Sequence, residues 1–384
     1  MSVPHGERAS TQNEKLLPGR ATPQATKDYA ARFASRAANG HFRGAAGGLN
    51  VSSIGIGTYL GEADAATDRR YTEAAIAAGE GGINFIDTAI NYRLQRSERS
   101  VGAALQTLVA RGHKREEFVV CTKAGFLTPD AVMPDDANEY FQREYIERDV
   151  FRAEDIAAGC HSIAPKFLAD QLERSRRNLG LECIDVFYLH NPETQLGEIS
   201  REEFRRRLRG AFGFCELAVA RGKITAYGLA TWKAFRENPK SESYLSLEET
   251  ASIAREVAGD AHHFRFVQLP LNLAMPEGLT NANQVVNGKT MAMVQAARPL
   301  GITLVASAAL LQGQLTRKLP AQMAQVLGLS NDAERALQFV RSVPGLTTAL
   351  VGMSRVEHVV ANLALLSVEP APRDQFLKLF GHGR

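Results

Sequence analysis

Short apolar runs rich in β-branched residues alternate along the chain with longer segments whose apolar residues recur every three to four positions. The short runs are typical of buried strands, and the longer segments are typical of amphipathic helices. From about position 51 the runs predict eight strands, at Val51–Thr58, Asn84–Thr88, Phe118–Lys123, Ile184–His190, Ile224–Ala230, Phe266–Leu271, Ile302–Ala308 and Thr347–Met353.

The segments between the runs predict eight helices, at Arg69–Ala78, Glu98–Arg111, Pro165–Leu179, Arg201–Arg221, Leu247–Val257, Gly288–Arg298, Asn331–Ser342 and Val356–Leu366. Ser97 is the predicted N-cap of the second helix, because a serine oxygen can accept from the free amides of a first turn. Glycine favours the left-handed backbone with which many helices end. We therefore expect helix stops at Gly79, Gly112, Gly180, Gly222 and Gly301.

This alternation places the chain in the α/β class. Strands that alternate with helices form right-handed βαβ units and a parallel sheet, and eight such units are what a closed (β/α)8 TIM barrel requires. An open, doubly wound sheet is the alternative. It would carry a glycine-rich phosphate turn after its first strand, and Gly55-Ile56-Gly57 matches that turn poorly because Leu60 stands where the third glycine belongs. The sequence therefore favours the barrel.

Three segments fall outside the regular rhythm. Residues 1–45 lack strong periodicity and predict an N-terminal extension, a tail or loose cap with one short helix at Thr26–Ala38, ahead of a barrel spanning residues 46–384. The third and fourth strands start 66 residues apart, at Phe118 and Ile184, which indicates an insertion at 124–163. This insertion and the loop 275–287 would lie on the C-terminal rim, where barrels bind substrates. We interpret the insertion as a substrate-covering loop; a partner-binding or ornamental segment is the alternative.

Composition excludes several classes of protein. The formal net charge is only +3, which gives no reason to expect a nucleic-acid or acidic-membrane partner. No run approaches 18 apolar residues, so no membrane span is expected, and the first ten residues lack the apolar core of a secretory signal. The four cysteines form no CxxC pair, which argues against zinc and thioredoxin-type sites. We expect a cytoplasmic protein with reduced thiols and no metal site.

Polar residues that could take part in catalysis stand where apolar runs end. Asp87, Lys123 and His190 close three successive predicted strands, and Tyr92 follows Asp87 by five residues. Taken singly, Asp87 could cap a turn, Tyr92 could pack over the rim, Lys123 could extend to solvent, and His190 could be a hydrogen-bonded core histidine. In a barrel, however, all four converge at one mouth.

Together these groups would form a proton-donating site. A lysine ammonium stabilises a neighbouring phenolate, an aspartate keeps that ammonium protonated, and an imidazole N–H can hold a carbonyl oxygen beside the tyrosine hydroxyl. Such a site protonates an oxygen that is becoming an alkoxide. No side chain supplies hydride, so a bound cofactor would have to.

The motifs that contain these residues resemble the aldo/keto reductase superfamily. They are Asp-Thr-Ala-Ile-Asn-Tyr at 87–92, Cys-Thr-Lys at 121–123, Asp-Val-Phe-Tyr-Leu-His-Asn-Pro at 185–192, the run at 51–58, and Leu-Val-Gly-Met-Ser at 350–354 with Asn362. The resemblance implies a (β/α)8 barrel that uses NADPH, or less often NADH, to interconvert carbonyls and alcohols. It also implies that Asp87, Tyr92, Lys123 and His190 form the catalytic tetrad, with Tyr92 as general acid.

The same resemblance implies a dinucleotide site, formed by Gly57, Thr58, Tyr59, Thr231, Gln268, Ser307, Leu310, Gly352, Ser354, Arg355, His358 and Asn362. Its nicotinamide end departs from the family. Ala230 and Thr231 replace a Ser-Asn pair that holds the carboxamide, Gln268 keeps the next carboxamide contact, and Ser307 replaces a stacking tyrosine.

At the other end, the N-terminus of the final helix suits a phosphate. Gly352 and His358 stand where many NADPH-preferring members carry lysine and arginine, and Arg355 would pair with a 2′-phosphate. NADP is therefore the expected cofactor, with NAD as the alternative.

The resemblance predicts an NAD(P)-dependent enzyme acting on a small carbonyl or alcohol. Leu-His-Asn-Pro-Glu at 189–193 resembles members that act on sugars and polyols, which indicates a polar, sugar-like substrate. The altered residues Ala230, Thr231 and Ser307 keep a different class open, a redox-silent binding or regulatory barrel such as the family's channel β-subunits. A third alternative is epimerisation or elimination with bound dinucleotide and no net redox change. The sequence makes no prediction of oligomeric state.

Overall fold

The structure follows the predicted alternation of strands and helices. It is a computed structural model and describes residues 16–380. Its strands, in chain order, are β1 (Phe42–Gly44), β2 (Asn50–Ser52), β3 (Ile54–Gly57), β4 (Phe85–Asp87), β5 (Val119–Ala124), β6 (Ile184–His190), β7 (Ile224–Ala230), β8 (Phe264–Pro270), β9 (Gln284–Val286), β10 (Lys289–Met291), β11 (Thr303–Ser307) and β12 (Leu346–Gly352).

The α-helices range from one turn to five. In chain order they are α1 (Pro23–Ala31), α2 (Ala65–Gly81), α3 (Arg96–Ala110), α4 (Ala137–Phe141), α5 (Pro165–Leu179), α6 (Arg201–Ala220), α7 (Leu247–Ala258), α8 (Glu277–Thr280), α9 (Met293–Ala296), α10 (Ala321–Leu327), α11 (Asp332–Arg341), α12 (Val356–Leu363) and α13 (Arg373–Leu377). Short 3₁₀ turns and one π turn, at Gln142–Ile146, complete the connections.

Eight of the strands close into a barrel of parallel strands, which confirms the (β/α)8 prediction. Their order around the barrel is β3-β4-β5-β6-β7-β8-β11-β12, and β12 pairs with β3 to close the ring. Each of the eight predicted runs contributes one of these strands. Because all eight run in the same direction, the last residues of β4, β5 and β6 meet at one mouth of the barrel.

The barrel interior is filled with side chains and is a packed core, not a channel. A cluster that includes Phe85, Cys121, Tyr188, Phe266 and Leu350 fills the lower part and is almost fully buried. A second, larger apolar cluster lies between the strands and the surrounding helices. Among residues 16–380, no helix is long and apolar enough to cross a membrane.

Residues 16–52 close the bottom of the barrel. The Ala21 amide donates to Asp185 at 2.6 Å, and the hydroxyl of buried Tyr29 donates to the Gly79 carbonyl at 2.6 Å. Arg43 donates to the Leu346 carbonyl at 2.9 Å, at the start of β12. The predicted short helix exists as α1, and the described part of the extension is a packed cap. The division at residue 45 stays a prediction, because residues 1–15 lie outside the described range.

Two local predictions about helix ends were wrong. Gly79 does not stop α2, which continues to Gly81 and ends at Gly82 with a φ of 111°. A Cβ on Gly79 would lie 2.8 Å from Leu108, so this glycine permits close helix packing instead. Ser97 is not an N-cap; it lies inside α3, and its hydroxyl donates to the Thr58 carbonyl at 2.8 Å.

The predicted helix at Gly288–Arg298 was also wrong. The segment begins with β10, the second strand of an antiparallel hairpin with β9, and only α9 is α-helical. The turn residues Asn287 and Gly288 have φ values of 51° and 72°. An Asn-Gly pair with two positive φ angles is a strong signal for a two-residue hairpin turn, and here it overrides the helical periodicity.

Candidate active site

A buried lysine lies at the centre of the barrel mouth. Lys123, near the end of β5, donates to Asp87 Oδ2 at 2.5 Å, to the Thr88 carbonyl at 2.9 Å and to Tyr92 Oη at 3.3 Å. These three acceptors use all three ammonium protons. Burial lowers the pKa of Lys123, but the adjacent Asp87 carboxylate and Tyr92 oxygen more than offset this, so the pKa lies above its ordinary value. The ammonium is therefore charged at neutral pH.

Asp87 is held on both carboxylate oxygens. Oδ2 accepts from Lys123, and Oδ1 accepts from the Gln268 amide of β8 at 2.8 Å. Burial raises the pKa of Asp87, and the Lys123 ammonium and Gln268 amide counter part of that rise. The hydrogen bond between Gln268 and Asp87 joins residues 181 positions apart. It connects a residue predicted to bind the cofactor with the buried Asp87–Lys123 ion pair.

Tyr92 lies in the loop between β4 and α3, immediately before a strained turn, and its hydroxyl contacts Lys123. The next three residues, Arg93 to Gln95, have φ values of 47°, 55° and 69°, a left-handed run that non-glycine residues seldom adopt. The Arg93 guanidinium fastens this turn, because it donates to Asp68 at 2.7 Å and to Ser100 at 3.0 Å.

The Tyr92 hydroxyl is a protonated phenol at neutral pH. Burial raises the pKa of Tyr92, Lys123 lowers it in part, and the Asp87 charge adds to the rise. The net direction is upward, so the group can give up a proton only to an oxygen that is gaining negative charge. The exposed ring of Tyr59, 56% accessible, packs edge-on against Tyr92 with centroids 5.0 Å apart.

His190, the last residue of β6, completes the group of four predicted side chains. Its ring packs edge-on against Tyr92 at 5.8 Å and against Phe126 at 5.2 Å, measured between ring centroids. Burial, together with the Lys123 charge and His161, lowers the pKa of His190 well below its ordinary value, so the imidazole is neutral. Its Nδ1 is buried and has no hydrogen-bond partner among the described residues.

Several residues predicted for the dinucleotide site lie around the same mouth. Gly57 ends β3, and the buried Thr58 hydroxyl donates to Thr88 at 2.9 Å. Thr231 follows β7 and is buried, with an Oγ1 that has no partner among the described residues. Ser307 ends β11, and Leu310 follows it in the next loop.

The residues predicted to hold the phosphate lie at the end of β12 and on α12. Gly352, Arg355 and His358 are exposed, whereas Asn362 is buried. Arg355 is the N-cap residue of α12 and its side chain is exposed, so its guanidinium can reach a ligand.

Sequence reasoning missed two buried groups that shape the mouth. Glu193 accepts from the amides of Trp232 at 2.7 Å and Lys233 at 2.9 Å, and so fixes the loop that carries Thr231. His161, from the insertion after β5, contacts the backbone of His190. The motif at 189–193 contained Glu193 and could have flagged it, whereas no spacing in the sequence pointed to His161.

Comparison with known proteins identifies relatives of this chain. The sequence profile of the aldo/keto reductase family matches residues 53–381. D-threo-aldose 1-dehydrogenase from a Pseudomonas species is 31% identical over 190 residues, which span 49% of this chain and 52%, about half, of that enzyme. A putative voltage-gated potassium channel subunit beta from Schizosaccharomyces pombe is 25% identical over 329 residues, 82% of this chain and 85% of that protein.

Solved structures share the barrel. The glycerol dehydrogenase AKR11B4 from Gluconobacter oxydans has a TM-score of 0.60 at 19% identity, covering 90% of this chain and 95% of that one. An aldo/keto reductase from Klebsiella pneumoniae, solved in complex with NADP and acetate, has a TM-score of 0.57 at 21% identity, covering 86% and 92%. At these identities the likeness shows the fold alone.

Proposed function

The chain belongs to the aldo/keto reductase family, and we propose that it is an NAD(P)H-dependent oxidoreductase that interconverts a carbonyl and its alcohol, with Tyr92 as general acid and base. One observation carries the proposal. The Tyr92 hydroxyl lies 3.3 Å from a fully buried ammonium, that of Lys123, which is itself paired with Asp87. A phenol and an ammonium in this arrangement suit proton transfer to a developing alkoxide better than any purely structural role.

Each of the four side chains has its own role in the reduction direction. The neutral His190 imidazole holds the carbonyl oxygen next to the Tyr92 hydroxyl, which donates its proton as that oxygen gains charge. The resulting phenolate is stabilised by Lys123; at 3.3 Å the attraction is about 5 kcal/mol for an effective dielectric of ~20, before desolvation. Asp87 keeps the ammonium charged throughout. In the oxidation direction the phenolate takes up the proton of the alcohol.

A nicotinamide dinucleotide supplies or accepts the hydride when bound. The residues present fit such a group. The buried, unpartnered Thr231 hydroxyl and the Gln268 amide suit the carboxamide, and exposed Arg355 suits a 2′-phosphate. We therefore propose NADP as cofactor, with NAD as the alternative, and the NADP held by the Klebsiella neighbour supports this. Gly57, Thr58, Tyr59, Ser307, Leu310, Gly352, Ser354, His358 and Asn362 would complete the site.

The proposed substrate is an aldehyde, ketone or sugar-like carbonyl. The match to D-threo-aldose 1-dehydrogenase and the motif at 189–193 support a hydroxylated substrate. The four cysteines form no disulfide, which supports the expected cytoplasmic location.

A redox-silent regulatory barrel is the second candidate. Ala230 offers no side-chain hydrogen bond to a carboxamide, Ser307 offers no stacking surface, and the channel-subunit relative aligns over 82% of the chain.

Binding and turnover separate these candidates. Trp232 is the only tryptophan, is 41% exposed and adjoins Thr231, so its fluorescence should report NADPH or NADH in the proposed site. Absorbance at 340 nm with a panel of aldoses, aldehydes and ketones then measures hydride transfer. Turnover supports the oxidoreductase, whereas binding without net turnover on any panel member supports the regulatory barrel or the chemistry without net redox change. Failure of both dinucleotides to bind would remove the enzymatic proposal.

A further inference from the structure

The insertion after β5 returns to the barrel mouth at a histidine. His161 is fully buried, and its Nε2 lies 2.7 Å from the main-chain carbonyl oxygen of His190. The next residue, Ser162, donates its amide to the Gly125 carbonyl at 2.8 Å, so the end of the insertion is bonded to its beginning. These bonds hold the 40-residue segment between β5 and α5, residues 125–164, beside the end of β6, which carries His190.

The hydrogen bonds around His161 have a fixed direction. Arg207 of α6 donates to Gln195 Oε1 at 2.7 Å, and a guanidinium can only donate. The Gln195 amide nitrogen therefore faces His161 Nδ1, at 2.9 Å, and Nδ1 must accept. This leaves the proton on Nε2, from which it is donated to the His190 carbonyl. Burial lowers the pKa of His161 to about 4, which keeps this neutral form at physiological pH.

Side chains pack closely around the hydrogen bond between His161 and the His190 carbonyl. The Phe126 ring stands between the two imidazoles, with its centroid 5.0 Å from that of His161 and 5.2 Å from that of His190. A Cβ on Gly125 would lie 2.6 Å from the His190 carbonyl oxygen and 2.8 Å from His161 Nε2. Glycine at this position therefore makes room for the hydrogen bond itself.

We infer that His161 is a positioning residue for the proposed reaction. Its hydrogen bond to the main-chain carbonyl of His190 fixes the position of the His190 imidazole. The inference rests on the proposed function. No described residue bonds His190 Nδ1, so packing and the backbone alone orient that ring. The next residue, Asn191, has a left-handed φ of 45°. His161 touches neither Tyr92 nor Lys123 and acts only through His190.

The kinetic test compares His161→Leu with His161→Gln. Leucine removes the donor, whereas the glutamine amide nitrogen can reach the same carbonyl. A misplacement of about 1 Å costs roughly a hundredfold in rate, so we expect kcat to fall roughly 10- to 100-fold in His161→Leu. The dinucleotide Kd should stay within about twofold of wild type in both variants, and glutamine should restore kcat to within about fivefold.

His41 provides the matched control. It is also fully buried, its Nε2 lies 3.0 Å from the Gly82 carbonyl, and burial likewise lowers its pKa to about 4. It lies at the opposite end of the barrel, beside Ser53. His41→Leu should therefore lose similar stability in urea unfolding yet keep kcat. An equal fall in kcat in His41→Leu and His161→Leu, or a His161→Leu rate within threefold of wild type, would overturn the inference.

A second measurement does not depend on turnover. In ¹⁵N-histidine NMR of the wild-type protein, His161 should show the Nε2–H tautomer and should not titrate between pH 5 and 8. His161→Leu should shift the His190 ring resonances, and His41→Leu should not. A proton on His161 Nδ1, or unmoved His190 resonances, contradicts the positioning role. If the wild-type protein neither reduces a carbonyl nor oxidises an alcohol, the proposed function fails, and this spectrum alone decides whether His161 positions His190.

Discussion

Tyr92→Phe removes one oxygen from the proposed site and leaves its surroundings in place. Lys123 keeps Asp87 at 2.5 Å and the Thr88 carbonyl at 2.9 Å as acceptors, so the buried ammonium is not left unpaired. The lost contact is a single hydrogen bond of 3.3 Å. We therefore expect the free energy of unfolding to fall by about 1–3 kcal/mol, because one N–H of a buried, charged donor loses its acceptor.

The expected loss in rate is much larger. A positioned general acid contributes roughly 10²- to 10⁴-fold, and the variant also loses the phenolate that Lys123 would stabilise. At 3.3 Å that attraction is about 5 kcal/mol at an effective dielectric of ~20, part of which desolvation cancels. We expect kcat to fall roughly 10³-fold, which corresponds to about 4 kcal/mol of transition-state stabilisation.

The assay follows NADPH at 340 nm with the best carbonyl of the panel, and Trp232 fluorescence measures the cofactor Kd. Tyr29→Phe is the matched control, because it also removes a buried phenol oxygen, one that donates to the Gly79 carbonyl at 2.6 Å at the bottom of the barrel, away from the proposed site. It should keep kcat within about threefold, whereas a general acid gives the far larger loss.

The rates of reduction and oxidation should change with pH in opposite directions. Burial raises the pKa of Tyr92, so the phenol stays protonated, and reduction should hold steady through neutral pH and fall only in alkali. Oxidation, which needs the phenolate, should rise with pH. If Tyr92→Phe retained more than about a tenth of wild-type kcat, the acid assignment would be refuted.

Three further predictions test other parts of the structure. Arg355→Ala should weaken NADPH by about tenfold or more while NADH changes little, because a guanidinium bonds a 2′-phosphate; equal losses in fluorescence titrations would mean that this side chain does not contact that group. Gly228→Ala should lower the free energy of unfolding in urea by about 2–4 kcal/mol, since the new Cβ would lie 2.1 Å from the Phe266 carbonyl oxygen, whereas Gly213→Ala, which meets nothing within 4 Å, should not destabilise. Burial lowers the pKa of His41 to about 4, below its unfolded value, so the stability it confers is complete above about pH 6.5. On the order of 3 kcal/mol of that stability is lost as the pH falls to 4; His41→Gln should reduce the difference in urea stability between pH 7 and pH 4.5, and an unchanged difference would contradict it.

The sequence alone was sufficient for the architecture. Eight apolar runs, each followed by helical periodicity, predicted the strands that close the barrel, because strands buried on both faces form nearly continuous apolar runs and a period of about 3.6 residues marks the buried face of a helix. The error at Gly288–Arg298 arose where apolar spacing was read as a helix although Asn287 and Gly288 favour a hairpin turn. The sequence also indicated that Asp87, Lys123 and His190 share one mouth, since parallel strands end on the same side.

What the sequence did not specify are contacts between distant segments. Tyr92 reaches Lys123 from the loop between β4 and α3, in which three left-handed residues follow it and Arg93 bonds Asp68. Gln268 reaches Asp87 across 181 positions once the barrel closes, and His161 meets His190 only after the insertion folds back. Local periodicity determines the backbone of each element, whereas such contacts depend on how the elements close on one another, and only the tertiary structure decides that.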